Sequence, residues 1–153
     1  MVIISIFYKK NYQFGKWIKT NLEDPKIIPL NHKILRNSII VCADVIEHLC
    51  NPIYLLKNLK YFLNYATIAI LTTPERDLVR GKENFGPPDN PYHSREWNLE
   101  EIENLLKAYR FKIFFKGLTV NNNRDLDKKT TIIILGNNYL PLIKPPQILM
   151  LLQ

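Results

Sequence analysis

Two short runs, SIIVCA beginning at Ser38 and TIAILTT beginning at Thr67, are apolar almost throughout, with no alternation of polar and apolar residues. A strand with one wet face alternates with period two. An unbroken β-branched run is the pattern of a strand covered on both faces, as in a parallel sheet between helical layers. The segment between them, NPIYLLKNLKYFLNYA, offers Asn51 as N-cap and Pro52 as first helical residue. Ile53, Leu56, Leu59, Phe62 and Leu63 then recur at helical spacing, which predicts a helix over Pro52–Tyr65.

Further apolar runs predict strands at Val2–Phe7, Trp17–Leu22, Lys112–Val120 and Thr130–Leu135. A second helix is predicted after REW: Asn98 and Glu101 have capping-box spacing, and Leu99, Ile102, Leu105, Leu106 and Tyr109 form its apolar stripe. The order of elements is that of an α/β fold with an antiparallel pair near the C-terminus. Thr73–Trp97 has no periodicity and is broken by Pro74, Gly81, Gly86, Pro87, Pro88 and Pro91. A long loop at the carboxyl ends of such strands is where a binding site is expected. The expected division is one α/β domain over 1–137 and a Pro-rich apolar tail over 138–153, which covers the sheet edge or contacts another chain.

With 153 residues, 46% hydrophobic and 23% charged, the chain has the size and composition of one soluble globular domain. Its net charge is +7, and residues 1–36 carry seven Lys/Arg against Glu23 and Asp24. That basic excess admits a polyanionic partner, yet the lysines are scattered without aromatic interleaving, so nucleic-acid binding is only weakly supported. Cys42 and Cys50 lack zinc spacing; Cys42 reads as a buried small hydrophobe and the pair implies a reducing, cytoplasmic setting. No stretch approaches the length of a membrane span, and MVIISIF is too short for a signal-peptide core.

The stretch CADVIEHLCNP puts Asp44, Glu47 and His48 directly after the first apolar run. In an open parallel sheet, ligands bind beyond the carboxyl ends of the strands. Any helical turn there would set Glu47 and His48 on one face with Asp44. Carboxylates with an imidazole suit magnesium or manganese, or zinc. The bland alternative is a capped turn with a solvated Glu47 and a His48 bonded to the backbone.

ADVIEHLCNPIYLLKNLKYFL, then AILTTPE, then HSREWNLEEIENLLKAYRFKI together resemble the second half of a class I S-adenosylmethionine-dependent methyltransferase. The resemblance runs from about Tyr8 to Asn137. It is most similar to small-RNA 2′-O-methyltransferases and, less closely, to ubiquinone-pathway O-methyltransferases. In the former, an E-x-x-E-H motif and a distal histidine hold a divalent metal that binds the acceptor hydroxyls. By that resemblance Asp44, Glu47, His48 and His93 are the metal ligands, with Asp44 in place of a glutamate, and His48 and His93 belong to the catalytic centre. Asn21, Leu22, Ala43 and Val45 would line the S-adenosylmethionine site. The departure is at the front. The five glycines, at 15, 81, 86, 117 and 136, form no G-x-G-x-G turn, and no ribose-binding acid follows VIISIF closely.

The resemblance therefore implies an incomplete Rossmann-like methyltransferase sheet, mostly parallel with an antiparallel C-terminal strand and lacking the first β-α unit. The function it implies is metal-assisted O-methyl transfer to a hydroxylated acceptor: a small molecule, a saccharide or RNA. The competing expectation is a non-catalytic module of the same fold. S-adenosylmethionine would bind weakly or with help from a partner, and magnesium or manganese would assist. Arg76, Arg80 and Arg95 are candidates to meet a phosphate or carboxylate, or are ordinary surface arginines. An incomplete sheet would expose apolar edge, so a homodimer or a partner protein is expected.

Overall fold

The computed structural model describes residues 18, 20–36, 38–120, 127–137 and 147–151. A short helix α1 (His32–Leu35) leads into strand β1 (Ser38–Ala43) and a 3-10 turn (Ile46–His48). Helix α2 (Ile53–Phe62), strand β2 (Ile68–Pro74), helix α3 (Arg76–Arg80) and helix α4 (Leu99–Ala108) follow. Strands β3 (Lys112–Thr119), β4 (Thr130–Gly136) and β5 (Gln147–Leu151) complete the described elements.

The strands form one sheet in the order β3-β4-β2-β1-β5. β1 pairs in parallel with both β2 and β5, while β4 runs antiparallel to β2 and to β3. Four strands therefore point one way and β4 alone is reversed, as expected of a mostly parallel sheet with an antiparallel C-terminal strand. The run Gln147–Leu151 from the tail lies along the free edge of β1. In the doubly wound order 3-2-1-4-5-6, the first strand sits beside the fourth. The methyltransferase resemblance makes β1 the fourth, so β5 occupies the position of the first.

One core supports the sheet. Leu55, Leu56, Leu59 and Phe62 of α2 and Ile102 and Leu106 of α4 pack with Ile40, Cys42, Ala69, Leu71, Ile133 and Leu135 in a single buried cluster. α2 forms where the spacing predicts it, three residues shorter at its C-terminal end. Its N-cap is Pro52, expected as the first helical residue, while Asn51, expected as the cap, lies one position earlier and accepts the Ile53 N–H at 3.2 Å. At α4 the Asn98 side chain accepts the Glu101 N–H at 2.8 Å, but the Glu101 carboxylate turns to Arg76 instead of closing the box.

Three expectations need correction. The apolar runs are buried alternately: Ser38, Ile40 and Cys42 are buried, whereas Ile39, Val41 and Ala43 are half-buried, so composition overstated the cover on the second face. The described part of Trp17–Leu22 is not a strand; Asn21 opens a turn, with Asp24 N–H donating to its carbonyl at 3.2 Å. The long loop holds a helix, α3, because Glu75 accepts the Leu78 N–H at 2.9 Å and starts a turn right after Pro74. The predicted strand Val2–Phe7 lies outside the described residues.

Candidate metal and acceptor site

β1 ends at Ala43, and Asp44 follows with φ 51, a left-handed conformation that aspartate tolerates better than most residues. The Asp44 N–H donates to the Thr72 carbonyl at 3.1 Å, and Thr72 Oγ1 donates back to Asp44 Oδ1 at 3.0 Å. This turn redirects the chain into the 3-10 turn, which buried Val45 and Ile46 anchor to the core. Asp44 therefore does not share a helical face with Glu47 and His48, because the left-handed residue breaks the face before it begins.

Glu47 is a fully buried carboxyl group. Its Oε2 accepts a hydrogen bond from Thr73 Oγ1 at 3.0 Å, and its Oε1 is buried without a hydrogen-bond partner among the described residues. Burial, with smaller contributions from the Asp44 and Glu96 charges, raises its pKa to about 8 against the hydrogen bonds that favour ionisation. Its main-chain carbonyl accepts the N–H groups of Ser94 at 2.7 Å and Arg95 at 3.1 Å, which brings the far end of the long loop over the strand ends.

His48 is half-buried, and its Nδ1 lies 2.9 Å from the Tyr92 carbonyl oxygen. A carbonyl only accepts, so Nδ1 carries the hydrogen and Nε2 keeps its lone pair. Burial is the main cause lowering its pKa, and neighbouring His93 adds to it, so the ring is held neutral.

His93 is defined from both sides. Asn90 Oδ1 accepts the Tyr92 N–H at 3.0 Å, so the Asn90 NH2 is the group 2.9 Å from His93 Nε2. His93 Nε2 must then accept, and Nδ1–H donates to Glu96 Oε1 at 2.7 Å. The rings of His48 and His93 meet edge to face with centroids 4.7 Å apart.

Glu47, His48 and His93 each present one ligand atom, all within 4.8 Å of one another. The donor set fits a divalent cation on three counts: an unpartnered buried carboxylate oxygen, two imidazoles with assignable tautomers, and a carboxylate oriented on one of them. Asp44 stands beside this group and is engaged with Thr72. Of the positions expected at the cofactor, Leu22 and Val45 are core residues at 1% and 0% exposure. Ala43 lies at the end of β1, and Asn21 sits on an exposed turn whose Glu23 Oε1 accepts the Asn51 N–H at 2.8 Å.

The arginines have other work. Arg76 pairs with Asp77 and with both carboxylate oxygens of Glu101, at 2.7 and 2.8 Å for the latter, and is buried. Arg80 is enclosed against Glu96. Only Arg95 of the three keeps a half-exposed guanidinium, lying 3.8 Å from the Trp97 ring centroid. Sequence reasoning missed Thr73, Asn90 and Glu96. The last had a signal, since His93 and Glu96 are three residues apart, the reach of a loop turn.

No family model and no curated protein matches the chain at the sequence level. Solved structures do match. The small RNA methyltransferase HEN1 aligns over 76% of this chain at 18% identity with a TM-score of 0.53, and the chain spans 16% of HEN1's length. An S-adenosylmethionine-dependent methyltransferase from Clostridium acetobutylicum ATCC 824 aligns over 85% of this chain and 68% of its own, at 12% identity and a TM-score of 0.53. These likenesses show the fold, that of a class I methyltransferase sheet.

Proposed function

We propose that this chain forms the acceptor side of an S-adenosylmethionine-dependent O-methyltransferase and holds a divalent metal, magnesium or manganese, with Glu47, His48 and His93. The convergence of those three ligand atoms within 4.8 Å carries the reading. The acceptor is a hydroxylated molecule, a saccharide or the ribose of RNA; HEN1, a small RNA methyltransferase with the same fold, supports the latter.

A metal at this point would lower the pKa of an acceptor hydroxyl and so ready its oxygen for attack on a methyl group. The rest belongs to the protein. Thr73 fixes one oxygen of Glu47 and leaves the other to face the ligand position. Tyr92 sets the tautomer of His48, and Glu96 sets that of His93, so both present a lone pair from Nε2. Asp44, held by Thr72, adds negative charge beside the site without occupying it.

For the methyl donor the fit is poorer. The sequence has no glycine-rich turn, and Leu22 and Val45 face the core. Those two facts favour a second reading, a binding module of this fold without catalysis. Calorimetry of the chain with S-adenosylmethionine, with and without manganese, separates the two. Binding near the micromolar range, about −8 kcal/mol, supports the enzyme. Manganese binding with no cofactor heat supports the module, and the absence of both removes the proposal.

A further inference from the structure

We propose that Arg80, acting through Glu96, positions His93 and fastens that histidine to the long loop. This role rests on the metal reading for its purpose but on the protein's own contacts for its geometry. Arg80 Nε lies 2.8 Å from Glu96 Oε2, with side-chain exposures of 3% and 4%. The contact meets the distance of an ion pair without an aligned N–H···O hydrogen bond, so its attraction is mainly Coulombic in a dry setting. The other Glu96 oxygen, Oε1, accepts the His93 Nδ1–H at 2.7 Å. One carboxylate thus joins a buried cation to a candidate ligand.

The same guanidinium reaches the loop. Arg80 Nη1 donates to the carbonyls of Gly86, at 3.1 Å, and Pro87, at 2.5 Å. Arg80 ends α3, and Gly81 at φ 94 turns the chain away so that the loop returns over the guanidinium. The loop backbone at 86–87, the Glu96 carboxylate and the His93 ring are therefore fixed by one side chain. A histidine ring has a rotatable χ2, and only a hydrogen bond to one nitrogen decides which nitrogen meets the ligand. Without the guanidinium, the buried Glu96 carboxylate would lose its partner at Oε2 and be free to turn away from the His93 ring.

Arginine is suited to this place because a lysine cannot hold a carboxylate and two carbonyls from one planar group. Asn90 completes the arrangement by donating to His93 Nε2. A metal bound at His93 Nε2 would take the place of that donor, with Glu96 and Arg80 on the other side of the ring.

The experiment is ring-nitrogen NMR of the metal-free full chain, followed by manganese titration by electron paramagnetic resonance, for wild type, Arg80→Gln, Arg80→Lys and Glu96→Gln. The third histidine, His32, stacked on Tyr65 with ring centroids 4.0 Å apart, reports whether the fold is kept. The expected result is a single Nδ1–H tautomer for His93 in wild type, and a mixed or altered pattern in Arg80→Gln and Glu96→Gln with His32 unchanged. Arg80→Lys recovers part of the pattern. Manganese affinity should fall about 10–100-fold in the same two variants. If Arg80→Gln does not fold, Glu96→Gln and Arg80→Lys carry the same comparison. An unchanged His93 ring signature in the folded variants overturns the positioning role whether or not manganese binds. Wild type that shows the signature but takes up no manganese overturns the metal reading and leaves the positioning role supported.

Discussion

Thr73 and Glu47 meet where β2 and the 3-10 turn converge, and the threonine hydroxyl satisfies only one of the two carboxylate oxygens. A buried carboxyl group left in that state wants either a proton or a cation. Without metal, only the proton can answer that demand.

With a folded-state pKa raised to about 8, Glu47 binds its proton more tightly in the folded than in the unfolded chain. The stability this gives is fully present below the unfolded value and is lost as pH rises through about 8. Metal-free protein should therefore melt at progressively lower temperature between pH 5 and pH 8, within the range roughly set by those two values. Glu47→Gln should flatten that slope, and added manganese should oppose it in wild type. Thermal melts across the pH series, with and without manganese, make the comparison; a flat wild-type profile contradicts it.

His93→Ala should weaken manganese binding while the fold persists, because His93 lies on the loop and outside the core cluster. His48 works in the other direction on pH. Its lowered pKa keeps the imidazole neutral, so metal affinity should first fall as Glu47 takes up its proton below about 8, with His48 adding to the loss only below the ordinary histidine range of about 6.5. Titrations at several pH values would show it, and affinity that stays flat from pH 8 down to about 6.5 would contradict it.

Glu75 tests the architecture. Its Oε2 accepts the Leu78 N–H at 2.9 Å and its Oε1 accepts the Leu99 N–H at 3.0 Å, so one buried carboxylate caps the starts of both α3 and α4. Asn98→Ala removes a single cap and should cost about 1 kcal/mol. Glu75→Ala removes two and strands buried amides, so it should cost at least about twice that. Urea denaturation of both variants ranks them, and an equal or reversed order would show that Glu75 is not the shared cap.

In the core, Phe62 is fully buried on α2 against the sheet. Phe62→Ala should destabilise the chain by roughly 3–5 kcal/mol, the usual loss for an aromatic removed from a packed interior. Asn58→Leu should also destabilise, despite adding apolar surface, because Asn58 Oδ1 accepts the Ile28 N–H at 2.8 Å and Nδ2 donates to the Tyr54 carbonyl. Equilibrium denaturation measures each.

Much of the fold is legible in the sequence because it is local. The spacing of Ile53, Leu56, Leu59 and Phe62 and the offset of Asn98 from Glu101 are properties of neighbouring residues, and both helices and the Asn98 cap are there. The position of His93 beside Glu47 and His48 is legible only through family resemblance, since no local rule closes a gap of that length. Asp44 misleads for a stereochemical reason: equal spacing on paper assumes a continuous helix, and its positive φ removes that continuity. Asn58, Glu75 and Arg80 are out of reach, because a polar residue in sequence carries no mark of the distant partner that lets it be buried. Arg76 likewise looks like a ligand anchor until Glu101 is seen to occupy it.

The main-chain oxygen of Glu47, which accepts the amides of both Ser94 and Arg95, has a further consequence. The carboxylate side chain and the loop that faces an incoming molecule share one peptide unit as their pivot. Displacing Ser94 and Arg95 would remove two hydrogen bonds from that peptide unit, so moving the loop and holding a cation at Glu47 would bear on each other. The two events are thermodynamically conjugate: whatever factor an acceptor imposes on metal affinity, the metal imposes on the acceptor's.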